Sequence, residues 1–157
     1  MRSVFFWAVA TISAIWGQTF LPGVDLLAPL FLVSLQEEKA AVNFWLCLIW
    51  VLIQEGTGSL AFGSGLLFYA ALALLFWVGR WMFEAKNFLF VCILAVLSGL
   101  LHGGVTWVMA TLEDVTIAPQ WLLTTSLRQI LCFILVWLLV ARLYASRVKA
   151  HANTLSN

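Results

Sequence analysis

IQEGTGSLAFGSG, residues 53–65, interrupts a chain that is otherwise close to hydrocarbon in character. Ile53 ends an apolar run, Gln54 and Glu55 follow side by side, and Gly56, Gly58, Gly63 and Gly65 come next. What a carboxylate and so loose a backbone do between two apolar segments depends on the solvent in which the chain folds.

Of the 157 residues, 64% are hydrophobic and 10% charged, and the mean hydropathy is +1.04. Soluble domains carry about 25% charged residues. A soluble core of this length could not hide so much apolar surface, so the composition predicts an integral membrane protein with one domain, residues 1–157. The net charge of +1 offers no electrostatic case for nucleic acid. Cys47, Cys92 and Cys132 lie far apart inside apolar stretches and read as packing residues, with no disulfide or metal spacing.

A membrane-spanning helix needs about 20 mainly apolar residues. Leu60–Met82, Phe88–Thr111 and Trp121–Val140 meet that length, and Val4–Phe20 is a fourth span, ended by Pro22-Gly23. Leu26–Leu35 and Ala40–Ile53, split by Gln36-Glu37-Glu38-Lys39, read as a hairpin of two short or tilted helices. The prediction is therefore an all-α bundle of six membrane helices near 4–20, 25–36, 40–54, 60–82, 88–111 and 121–143. Residues 147–157 are expected to form a flexible cytoplasmic tail.

Cation placement agrees with six crossings and a cytoplasmic N-terminus. Arg2, Lys39, Arg80, Lys86, Arg142, Arg147 and Lys149 then fall on the inner side, while Asp25, Glu113 and Asp114 fall on the outer side. Trp7, Trp45, Trp77 and Trp81 would mark the inner interface and Trp16, Trp107 and Trp121 the outer one, with Trp137 left for packing. Arg2 and the apolar run to Gly17 imitate a secretory signal, but no polar mature domain follows, so cleavage is not expected.

Gly56-Thr57-Gly58-Ser59-Leu60-Ala61 matches a variant of the dinucleotide fingerprint, but both flanks are apolar helices and no βα pattern surrounds it. In lipid the segment reads as a tight turn at the outer face, with Ser59 capping a helix from Leu60 and with Gly63 and Gly65 giving that helix a smooth start. Glu55 then either reaches water or enters a buried polar cluster. The candidate cluster is Glu55 and Gln54 with Arg128 and His102. Arg128 lies eight positions into the last helix, about 12 Å below its outer start, where a cation must snorkel or pair. His102 lies about as deep and reads either as a packing residue or as a member of the cluster.

Small residues recur at helical spacing. Ala10, Ser13, Ala14 and Gly17 share a face of the first helix, and Ala95, Gly99 and Gly103 form a row on the fifth. Such rows serve close packing within the bundle or docking onto another membrane subunit. Gly-x-Ser-x-Gly, His-Glu-x-x-His and paired intramembrane aspartates do not occur, and His151 sits in the tail. No catalytic role, cofactor or metal is expected.

Asp25-Leu26-Leu27 at the second helix, Leu52-Ile53-Gln54-Glu55 closing the third, and a Gly/Ser turn before Gly63 together resemble the MreD family of bacterial rod-shape-determining membrane proteins. Val24 stands where that family often has proline, and Glu55 where it usually has aspartate. The resemblance implies a non-enzymatic, multi-pass subunit of the bacterial cytoplasmic (inner) membrane. It would act in cell-wall elongation with MreC and, through it, with the glycosyltransferase–transpeptidase pair that builds peptidoglycan. MreD-like proteins are similar in fold to the substrate-binding S components of energy-coupling-factor vitamin transporters, which dock through Ala-x-x-x-Ala. Ala10-Thr11-Ile12-Ser13-Ala14 has that spacing. On this alternative Glu55, His102, Arg128 and Trp107 would line an outward-facing site, although the outer loops are short for covering one.

Overall fold

Turn chemistry divides the chain. Pro22-Gly23 stops the first helix, Asn87 accepts the Leu89 N–H at 2.9 Å to open the fifth, and Pro119 takes the first position of the sixth, where its missing N–H costs nothing. The computed structural model describes the backbone of residues 2–37, 39–57 and 63–155, and the side chains of 4–37, 39–56 and 63–147. Among the described residues the chain is all helical: α1 Arg2–Phe20, α2 Leu27–Glu37, α3 Ala40–Thr57, α4 Ser64–Gly79, α5 Phe88–Leu112 and α6 Pro119–Leu155. Two of these, α5 and α6, are long and apolar enough to cross a membrane, which points to membrane association. The other four are shorter apolar helices.

The shortest helix is the hub. Every residue of α2 from Leu27 to Ser34 is buried, as expected of a helix that is apolar all round and enclosed on every side. It packs on α6, α3 and α1, while α5 lies between α6 and α4. The core around it is aromatic: Phe31 meets Trp50 and Tyr69 edge-on, at ring separations of 6.4 and 5.4 Å. Buried indoles keep their hydrogen bonds, Trp50 Nε1 donating to Thr11 Oγ1 at 2.9 Å and Trp137 Nε1 to Gln36 Oε1 at 2.9 Å.

Polar clamps close the bundle at both ends. At one end Lys86 pairs with Glu37 and Gln36 Nε2 donates to the Ala85 carbonyl at 2.6 Å, joining the end of α2 to the α4–α5 connection. The other end is organised by Asp25. Outside the core, large apolar side chains of α1, α3, α4, α5 and α6 face outward, among them Phe5, Phe20, Phe44, Leu52, Leu74, Leu100 and Leu131.

Several expectations shift. The fourth helix, expected from Leu60 to Met82, runs from Ser64 to Gly79; Gly58, Ser59 and Leu60, and with them the proposed serine cap, lie outside the described residues. The third, expected over 40–54, runs from Ala40 to Thr57. The sixth continues as helix to Leu155 through the stretch expected to be a flexible tail. Trp7 is a core residue at 2% exposure, whereas the other six tryptophans assigned to interfaces are exposed. On α1 the small-residue face divides: Ala14 is buried and a Cβ on Gly17 would fall 2.6 Å from Leu26 Cδ1, but Ser13 points outward. On α5 the row is an intramolecular contact. A Cβ on Gly99 would stand 2.5 Å from Ile130 Cγ1 and 2.9 Å from the Ser126 carbonyl, and one on Gly103 would collide with the Ser126 hydroxyl.

Candidate functional site

Glu55 answers the question posed by the glycine-rich stretch. Its carboxylate turns back from the end of α3 onto the start of α4, where Gly63 N–H donates to Oε2 at 2.8 Å and Gly65 N–H to Oε1 at 2.8 Å. Leu66 N–H adds a longer bond of 3.3 Å to Oε1. Helix N-termini leave their first N–H groups unpaired and carry partial positive charge, so a carboxylate there supplies acceptors and counter-charge together. The glycines follow from this geometry. Gly63 takes φ +100, which side chains resist. A Cβ on Gly65 would sit 3.0 Å from Glu55 Oε1. Gly56 has no such neighbour.

The predicted Glu55–Arg128 pair does not form. Arg128 is exposed on α6, and among the described residues it has no carboxylate partner; the ion pair recorded there joins Lys86 and Glu37. A step of one residue turns a helix by about 100°, and it is Gln129, fully buried, that enters the protein.

Gln129 meets Asp25, the residue around which the site is built. Asp25 N–H donates to Gln129 Oε1 at 2.7 Å, and Gln129 Nε2 donates to the Asp25 carbonyl at 2.9 Å. The Asp25 carboxylate receives four further donors. Leu27 N–H (2.8 Å), Ala28 N–H (3.3 Å) and Gln18 Nε2 (3.2 Å) reach Oδ1, and the Tyr69 hydroxyl reaches Oδ2 at 2.7 Å. The two amide bonds cap α2, Gln18 comes from α1, Tyr69 from α4 and Gln129 from α6. One connection residue therefore ties four helices. Asp25 lies between α1 and α2, outside both; burial pushes its carboxyl above the ordinary value of 3.8, against the opposing pull of Tyr69, His102 and the Leu27 amide.

Beside this network lies a cavity of about 400 Å³. Gln18, Asp25, Gln54, Ser64, His102 and Thr106 bring polar atoms to its wall, and Ile15, Phe68 and Val105 give it an apolar side. Of the predicted cluster, Gln54 and His102 are brought to this wall. His102 Nε2 lies 2.9 Å from the Gly23 carbonyl, to which only an Nε2–H can donate, and its ring stands edge-on to Phe68 at 5.7 Å. Trp107 faces away, 60% exposed. The described residues contain no grouping of three or more His, Cys, Asp or Glu suited to a metal.

The sequence carried signals for the residues that the expected polar cluster left out. An aspartate immediately before an apolar run is an N-cap signature, which marks Asp25. Gln129 and Tyr69 are polar groups inside apolar helices, and such groups seek partners.

Comparison with protein-family models, with curated proteins and with solved structures finds no match to this chain.

Proposed function

We propose that this chain is a six-span protein of the bacterial cytoplasmic membrane and an MreD-like, non-enzymatic subunit of the cell-elongation complex. In that role it associates with MreC and, through it, with the enzymes that extend peptidoglycan. Lys86 pairs with Glu37 at the end of α2, Arg80 lies over Phe76 near the end of α4, and Arg147 lies over Phe6 near the start of α1; cations gathered at one end suit a cytoplasmic face. Short helices are compatible with crossing when a bundle buries them and the bilayer adapts around it.

One observation carries the reading. Both acidic residues on which the resemblance rests, Asp25 and Glu55, accept hydrogen bonds from this chain's own groups. They build the outer end of the bundle, which suits a scaffold whose partner reads its shape. In a rod-shaped bacterium that depends on this protein, depletion should round the cells, the wild-type chain should restore rods, and mild-detergent isolation should recover MreC.

The cavity beside Asp25 favours a second reading, a substrate-binding subunit of an energy-coupling-factor transporter. Its volume lies within the usual range for small-molecule sites, and a few polar groups converge on apolar walls. Recovery of an ATPase pair with a tightly held small molecule, and without MreC, would overturn the scaffold in favour of this reading.

A further inference from the structure

Leu123, Leu127, Leu131, Leu135, Leu139 and Leu143 recur every fourth residue along α6, and each is more than half exposed. Arg128 opens outward on this ladder, beside Leu127 and one turn before Leu131. Among the described residues nothing from this chain neutralises the guanidinium.

Depth makes that arrangement informative. Arg128 lies seven residues beyond Trp121, about 10 Å along the axis at 1.5 Å per residue, well inside one leaflet of a hydrocarbon layer about 30 Å thick. A cation held there must snorkel to the interface or pair, and a partner's carboxylate pairs it at its own depth. Outer-leaflet phosphates lie at or above the level of Trp121, so a headgroup matches this depth poorly. A second copy of the chain is also a poor match. Asp25 and Glu55 are engaged within the bundle, Glu113 and Asp114 lie in the α5–α6 connection, and Glu37 and Glu84 lie at the other end.

We propose that the part of α6 that carries Leu127, Arg128 and Leu131 docks a membrane helix of a different protein, whose aspartate or glutamate meets Arg128 while these two leucines pack beside the pair. Buried from lipid by the partner, a guanidinium–carboxylate pair is charge-assisted and fixes the register of two helices. The inference rests on α6 spanning the membrane, part of the function proposed above, but not on the partner's identity.

The test uses the full chain in its native membrane, with a photo-crosslinking residue placed at position 127 or 131. The expected result is an adduct with a membrane helix that contains Asp or Glu. Arg128→Leu should lower its yield at least tenfold at an unchanged level of the protein, and Arg128→Lys should retain most of it. Reversing the charges, Arg128→Glu with the partner's acid changed to Lys, should restore the adduct that Arg128→Glu alone loses. Adducts with lipid only, adducts with a second copy, or yields indifferent to Arg128→Leu would each overturn the proposal. An Arg128→Cys chain treated with a membrane-impermeant thiol reagent separates the two levels of failure. Labelling as fast as at Glu113→Cys would remove the membrane premise itself, whereas protection without an adduct would remove the docking face alone.

Discussion

Asp25 and Gln129, 104 residues apart, face each other as two amides: the backbone N–H and carbonyl of Asp25 pair with the side-chain carbonyl and NH₂ of Gln129, at 2.7 and 2.9 Å. The side chain substitutes for a second backbone strand at a place where the chain has left α1 and has not yet entered α2. Without it, two buried main-chain groups would have no water to turn to.

Gln129→Leu should therefore cost about 2–4 kcal/mol, roughly one desolvation penalty for each orphaned group, read as a lower melting temperature in detergent. Gln129→Glu keeps an acceptor for the Asp25 N–H but sets a carboxylate against the Asp25 carbonyl. It should be at least as damaging. Arg128→Leu, one residue away but outward-facing, should leave the melting temperature unchanged or raised.

Glu55 and its glycines give a graded series. Glu55→Ala removes the cap of α4 and should cost about 1 kcal/mol. Gly63→Ala should cost a similar amount through its positive φ, and Gly65→Ala should lose cap strength as its Cβ crowds Glu55 Oε1. Gly56→Ala, helical and with open space around it, should be neutral or stabilising. Equal effects at Gly56 and Gly65 would contradict the capping geometry.

The α5–α6 contact is equally specific. Gly99→Ala puts a methyl 2.9 Å from the Ser126 backbone carbonyl, which cannot move aside as a side chain does. Overpacking of this kind costs about 1–3 kcal/mol. Gly104→Ala, five residues on and open to space, should be silent in the same thermal assay.

Asp25 predicts an unusual pH dependence. Because burial raises its carboxyl in the folded protein, the folded state holds that proton more readily than the unfolded chain. The group's contribution to stability is complete below its ordinary value of 3.8 and is lost as pH rises toward the raised value. Mild acidification from neutrality should thus stabilise the wild type through this residue. Asp25→Asn should flatten that part of the profile, whereas Asp25→Ala, which also loses the α2 cap, should lower stability across the range.

Much of this was legible along the chain. Runs of apolar residues placed the helices because burying an apolar segment in protein or lipid requires its backbone to satisfy itself, and the helix is the local way to do so. Pro22-Gly23 placed the end of the first helix for an equally local reason, and the small residues of α5 marked a close approach, which the structure makes to α6. Hydropathy also found the polar interruption at Gln54-Glu55, of which Gln54 lines the cavity.

Facing and partnership could be decided only in three dimensions. Arg128 and Gln129 are neighbours in an apolar helix, and sequence reasoning favoured the charged one for the interior. Tertiary packing turned it outward and sent the amide in, because Asp25 presents one donor and one acceptor that glutamine matches and arginine cannot. Glu55, read along the chain as reaching water or meeting a cation, found unpaired amides closer, on its own next helix. Local free energies write themselves into composition and spacing, but a hydrogen bond across 104 residues exists only after helices from distant parts of the chain have met.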